Sequence, residues 1–232
     1  MRIDKLLANS SAIGRKEIKQ YIRKGLVMCN DTVIKDPSVH VDETLDKITL
    51  NGKRVVYRKF VYLMLNKPEG YVSATFDKKL PVVTELVPEQ YSHFEVFPVG
   101  RLDIDTHGLL LLTNDGDLAH RLLSPKSHVD KTYFVKSSKP IKDDDAVIFE
   151  NGIDLGDFTT LPAKIEPISK DKKESLVTIC EGKFHQVKRM FEAIDNEVIY
   201  LKRISMGGLK LDESLEEGEC RELTAEELAN IE

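Results

Sequence analysis

The chain has 232 residues, 41% hydrophobic and 31% charged, enough apolar side chains for one large core or for a small domain joined to a medium one. No apolar run has the length of a membrane span, the N-terminus lacks the apolar segment of a secretory signal, and Cys29, Cys180 and Cys220 lie far apart outside any Cys-x-x-Cys; a cytoplasmic protein with reduced thiols is expected, without a disulfide framework or zinc ribbon. The net charge of −5 is segregated, because residues 1–59 carry 13 Lys+Arg against 7 Asp+Glu, whereas residues 211–232 carry 1 against 9. A basic segment on an acidic protein suits a polyanionic partner.

Arg2 to Asn9 has helical spacing with Ile3, Leu6 and Leu7 on the apolar face, and Ser10-Ser11 and Gly14 break it. A second helix over Arg15–Lys24 places Ile18, Tyr21 and Ile22 inward and stops at Gly25. At about 100° per residue, Arg15, Lys16, Lys19 and Arg23 fall within roughly a 100° arc away from that stripe. An ordinary solvated face mixes signs more than this one, which has only Glu17 as relief, so a phosphate-contacting face is the favoured reading. Leu26–Cys29 and Thr32–Ile34 flank Asn30-Asp31, and Lys47–Leu50 and Val55–Tyr57 flank Asn51-Gly52; both read as hairpins. Residues 1–59 therefore form a small module, with Arg58-Lys59 as the link to a second domain, 60–232.

From Phe60 the pattern is richer in strands. Val61–Leu65 is a strand candidate ending at the turn Asn66-Lys67-Pro68-Glu69-Gly70-Tyr71, and further strands are expected at Val82–Val87, Val96–Val99, Leu109–Leu112, Lys131–Lys136 and Leu176–Ile179. Asp115 can cap a helix Asp117–Leu123, and a helix over Val187–Ile194 buries Val187, Met190, Phe191 and Ile194. Connections are short and no βαβ period appears, so the fold class is α+β with a mostly antiparallel sheet. The Glu-rich tail keeps helical spacing near Glu226–Ile231 and reads as a terminal surface helix.

The chemistry is placed on Gly100-Arg101-Leu102-Asp103-Ile104-Asp105-Thr106-His107-Gly108, a polar loop entering the leucine strand. Asp103 is the candidate carboxylate; the bland alternative is a solvated loop with an Arg–Asp pair. Asp103, Asp105 and Gly108 match positions 1, 3 and 6 of a calcium loop, but His107 and Asn114 stand where liganding oxygens are needed, so no metal is expected. Phosphate-binding glycine motifs, HExxH and GxSxG are all absent. His185, at a helix start, reads as structural. What remains is a loop carboxylate, a strand tyrosine and a basic helix start, which fits a nucleophilic aspartate beside a cation.

Two sets of motifs carry a resemblance. Arg2-Ile3-Asp4-Lys5-Leu6-Leu7 with Gly14-Arg15-Lys16-Glu17-Ile18-Lys19-Gln20-Tyr21-Ile22-Arg23-Lys24-Gly25-Leu26-Val27 resembles an S4 RNA-binding domain. Asn66–Tyr71, Gly100–Asp103, Lys131-Thr132-Tyr133 and Glu181–Met190 resemble, in order, the motifs of the RsuA-type pseudouridine synthases, with Lys183 and Phe184 at positions often Arg and Tyr. The resemblance covers nearly the whole chain. It implies a mixed, mainly antiparallel sheet crossed by a cleft, and isomerisation of a uridine in small-subunit (16S) rRNA, free or in an assembly intermediate, without metal or organic cofactor. It implies that Asp103 is the catalytic aspartate, that Tyr133 stacks on the uracil, and that Lys188 pairs with the aspartate, Arg189 being the adjacent alternative. Arg101 would fill the space left by an extruded base. Arg2, Arg15, Lys16, Lys19, Arg23 and Lys24 would contact RNA, mainly its phosphates. A monomer is expected. The rival readings are a sister enzyme acting on large-subunit rRNA, a non-catalytic RNA-binding or assembly factor, and a hydrolase built on Asp103 and Asp105.

Overall fold

The computed structural model describes residues 1–11 and 13–231. They divide into two units, one of Met1–Val61 with Val87–Val96, the other of Tyr62–Leu86 with Phe97–Glu232. Among the described residues no helix is long and apolar enough to cross a membrane.

In the first unit, α1 (Ile3–Asn9) and α2 (Arg15–Arg23) bury Ile3, Leu6, Leu7, Ile18 and Ile22 against Val27, Val41, Ile48 and Leu50. The expected stripe is present, except that Tyr21 is only half-buried and its hydroxyl donates to the Glu17 carboxylate at 3.0 Å. Strands β1 (Val27–Cys29), β2 (Thr32–Val33), β3 (Ile48–Leu50) and β4 (Lys53–Val55) form an antiparallel sheet in the order β2-β1-β3-β4. Asn30 and Asp31 turn the first hairpin with φ of 48° and 64°, and Asn51 and Gly52 the second with 50° and 76°. Both are the left-handed pairs that two-residue hairpins need. Such a turn pairs the residues flanking it, so Leu50 faces Lys53 and β4 starts two residues before the expected Val55. The segment Val87–Val96 belongs to this unit through a 3-10 turn, Glu89–Phe94, whose buried Phe94 lies 5.6 Å beneath the Arg58 guanidinium.

The second unit is built on one large sheet. Strands β5 (Tyr62–Lys67), β6 (Phe97–Pro98), β7 (His107–Thr113), β8 (Lys131–Ser137), β9 (Lys164–Pro167), β10 (Glu174–Ile179), β11 (Val198–Met206), β12 (Leu209–Lys210) and β13 (Cys220–Glu222) run in the order β13-β5-β7-β11-β8-β10-β9, with β6 on β7 and β12 on β11. Strands β7 and β11 are parallel, and the other pairings are antiparallel. The helices are α3 (Gly116–Leu123), α4 (Asp143–Asn151), α5 (Gln186–Ala193) and α6 (Ala225–Ala229). The fold is thus the expected α+β class with a mixed, mainly antiparallel sheet.

The four leucines explain β7. Leu109 and Leu111 join the core with Met64, Leu118, Leu122, Met206 and Ile231, while Leu110 and Leu112, on the other face, are buried as well. A continuous apolar run marks a strand covered on both sides. Asp115 starts α3 by accepting the Asp117 and Leu118 amides, and it also accepts the Tyr62 hydroxyl at 2.8 Å. At the β7–β11 junction Gly108 has φ of 98°, and a Cβ there would lie 2.2 Å from the Arg203 carbonyl oxygen, so the parallel contact requires glycine.

Two expectations fail and one is incomplete. Val82–Val87 is a 3-10 turn (Val83–Leu86) rather than a strand, between Pro81 and Pro88, which cannot donate to a ladder. Asn66 and Lys67 belong to β5 and are buried, so the turn begins only at Pro68. The acidic tail has the expected surface helix, α6, but also adds an edge strand, Cys220–Glu222, to β5 and sends Ile231 into the core.

Candidate active site

Asp103 sits on a loop, Gly100–Thr106, fixed from below by one side chain. Lys67, at the end of β5, is fully buried, and its ammonium donates to the carbonyl oxygens of Pro68 (3.0 Å), Ile104 (3.2 Å) and Thr106 (2.9 Å). An ammonium has three donors, and all three are used. The Ser73 hydroxyl adds a reciprocal pair with Leu102, donating to its carbonyl at 2.9 Å and accepting its amide at 3.0 Å. Burial pulls the Lys67 pKa down to about 8, against the opposing pull of Asp105, Asp103 and other carboxylates. Lys67 was hidden in the sequence because Asn-Lys-Pro reads as a turn; a lysine closing an apolar strand just before proline was the available signal.

The loop and α5 meet at Asp103. The Lys188 ammonium lies 3.4 Å from Asp103 Oδ2 and 2.5 Å from Asp105 Oδ1, so one cation serves two carboxylates. Burial raises the Asp105 carboxyl, but the hydrogen bond and charge of Lys188 outweigh this and hold it below the usual range. His185, which precedes α5 with a left-handed φ of 50°, brings Nε2 to 3.7 Å from Asp103 Oδ1. The sequence reads His185 as structural and Asp105 only as part of a calcium loop or hydrolase pair; the structure puts Asp105 as the nearer partner of Lys188 and His185 beside the carboxylate.

Arg189 does not stand in for Lys188. Its guanidinium donates to the Leu155 carbonyl at 2.9 Å, pairs with Asp157, and lies 5.2 Å over the Phe158 ring. Successive helix residues diverge by about 100°, enough to send these neighbours to different partners. Of the two alternatives, the structure places Lys188, not Arg189, at the carboxylate.

Asp103, Arg101, Thr106, Tyr133, Lys183 and His185 line an open cleft, with Ile179, Val187 and Leu201 as apolar wall. Tyr133 is placed by strand alternation on the same face of β8 as Val135 and is 7% exposed. Arg101 is exposed at the lip. The buried Thr106 hydroxyl has no hydrogen-bond partner among the described residues. No group of three or more His, Cys, Asp or Glu among them is arranged to hold a metal ion. The arrangement offers an oriented carboxylate with a cation behind it and a flat aromatic ring in the cleft that it lines.

In the first unit Arg15, Lys16, Lys19, Arg23 and Lys24 are all exposed, as the helix phase requires. Arg2 is exposed but its guanidinium is held by Asp4 at 2.8 Å.

Comparison with known proteins matches residues 61–193 to the RNA pseudouridylate synthase family and residues 1–46 to the S4 domain. The chain belongs to the RNA pseudouridylate synthase family. The synthase is 51% identical to a Bacillus subtilis protein named as an RNA pseudouridine synthase, over 98% of this chain and 97% of the other. It is 44% identical to the ribosomal small subunit pseudouridine synthase A of Vibrio cholerae, over 100% of this chain and 99% of that one. The Escherichia coli protein of the same name is 38% identical over the full length of both. A crystal structure of a pseudouridylate synthase superposes with a TM-score of 0.69 at 37% identity, covering 100% of this chain and 99% of the other. The synthase is therefore of the RsuA type, an enzyme with an N-terminal S4 domain.

Proposed function

We propose that this synthase converts one uridine of small-subunit (16S) rRNA to pseudouridine, with Asp103 as the catalytic carboxylate. The observation that carries the reading is the meeting of Asp103 and the Tyr133 ring in one cleft, with the Lys188 ammonium 3.4 Å from the carboxylate. The small-subunit assignment is supported by the names of the Vibrio cholerae and Escherichia coli relatives.

The reaction breaks the N1–C1′ bond, the pair staying on N1, turns the uracil in place, and forms a C5–C1′ bond as C5 loses a proton and N1 takes one up. C1′ and the base edges are inaccessible in a stacked helix, so the uridine is extruded into the cleft. Arg101 at the lip occupies the space left behind. Lys188 holds the Asp103 carboxylate in place, and Tyr133 stacks on the uracil while it turns. Exposed cations of α2, from Arg15 to Lys24, supply phosphate contacts, with Arg2 and Arg189 less available because of Asp4 and Asp157. The enzyme acts in the cytoplasm as a monomer and uses no cofactor.

The test maps pseudouridines on rRNA from cells lacking the protein, complemented with wild type or Asp103→Ala. One small-subunit site restored by wild type alone is the expected result. A large-subunit site would move the substrate and leave the mechanism; restoration by the alanine variant would remove Asp103 from it.

A further inference from the structure

Phe184 is 76% exposed although it stands at the edge of the catalytic cleft. One face of its ring is stacked on His185, with centroids 3.8 Å apart and planes 17° from parallel, which leaves the other face to solvent. His185 in turn lines the cleft, with Nε2 3.7 Å from the Asp103 carboxylate. The Phe184 ring thus lies stacked on the imidazole whose other edge approaches the Asp103 carboxylate. The left-handed backbone of His185 holds the two rings in this register ahead of α5. Cationic Lys183 is its chain neighbour and, with Arg101, lines the same cleft. A single flat ring bordered by cations suits an aromatic polyanion better than an apolar protein surface, which needs a contiguous patch.

We propose that the open face of Phe184 is a stacking platform for a nucleobase flanking the target uridine, so that the RNA is gripped by its bases outside the cleft as well as inside it. This rests on the RNA-modifying reading above. Phe76, 74% exposed but not part of the cleft, is the internal control.

The chain contains no tryptophan, so Phe184→Trp creates a single fluorescent reporter in the full-length protein. Titrated with an unmodified small-subunit rRNA transcript, its emission is quenched by base stacking, whereas heparin, a polyanion without bases, leaves it unchanged. Phe184→Ala raises KM for the transcript about fivefold or more with kcat retained, Phe184→Tyr restores it, and Phe76→Ala does not shift it. Bound RNA without quenching, equal quenching by heparin, or an unchanged KM in Phe184→Ala overturns the proposal. Quenching by RNA in a protein that forms no pseudouridine keeps the platform and removes the enzymatic reading instead.

Discussion

The cations of α2 and those around the Asp103 loop do opposite kinds of work. Arg15, Lys16, Lys19, Arg23 and Lys24 stand in solvent, placed by helix phase alone, and each acts as an independent, screened charge. Lys67 and Lys188 are placed by tertiary partners, the one wholly buried under three carbonyls and the other between two carboxylates. Loss of a surface cation should therefore be graded and salt-dependent, and loss of a buried one abrupt and insensitive to salt. On the proposed reading, charge count on α2 should set affinity for RNA, whereas the geometry around a few charges should set the chemistry.

The most severe break of the contrast is at the carboxylate itself. Asp103→Asn should lower single-turnover pseudouridine formation by at least about 10³-fold, while melting temperature and RNA affinity stay close to wild type. Loss of RNA binding to the same degree would place Asp103 in binding instead.

Lys67→Met should follow, because it strands three carbonyl oxygens beneath the loop. A cost of about 3 kcal/mol corresponds to a fall of roughly 6–12 °C in Tm, and kcat should drop although Lys67 meets no substrate. Its pH dependence has a defined sign. The Lys67 pKa is about 8 in the folded protein against 10.5 for an ordinary lysine, so between these values the unfolded chain binds more protons and the Lys67 contribution to stability rises with pH. Over the same window the loop loses one of its three donors, so activity should fall above about pH 8 while stability does not. An activity profile flat from pH 7 to 10 in wild type would remove Lys67 from control of the loop.

Lys188→Met should reduce kcat about 10²-fold, and Arg189→Met much less, since Arg189 is held by Asp157 and Leu155 away from the carboxylate. Equal losses in the two variants would contradict that separation. The smallest effect belongs to the surface. Lys19→Glu with Arg23→Glu should weaken RNA binding about tenfold and lower the slope of log affinity against log salt by roughly 1–2, with the Tm unchanged. An unaltered slope in filter-binding titrations would take α2 off the RNA.

The same contrast explains what could be read from the sequence. Periodicity exposed α1, α2, α3 and α5, the Asn-Asp and Asn-Gly hairpins, and the leucine strand, because each is decided by local spacing. Asp103, Tyr133 and Lys188 were found by motif order, and the structure brings Asp103 and Tyr133 to one cleft with Lys188 at the carboxylate. What local spacing misses depends on distant partners. Lys67 looks like a turn residue until Ile104 and Thr106 supply its acceptors. Arg189 looks equivalent to Lys188 until Asp157 claims it. The acidic tail shows only its terminal helix until Cys220–Glu222 pairs with Leu63–Leu65.

That last pairing has a kinetic consequence. Gly218 donates to the Asn66 carbonyl at 2.8 Å and Asn66 to that of Glu219 at 3.1 Å, one residue from Lys67, across more than 150 positions of chain. Contacts so remote in sequence close late, because a long loop must be ordered before any bond rewards it. In refolding from denaturant, helical ellipticity should return first and isomerase turnover last, its lag set by the joining of these two strands. The enzyme would then pass through a nearly native, RNA-binding but inactive species on its way to competence.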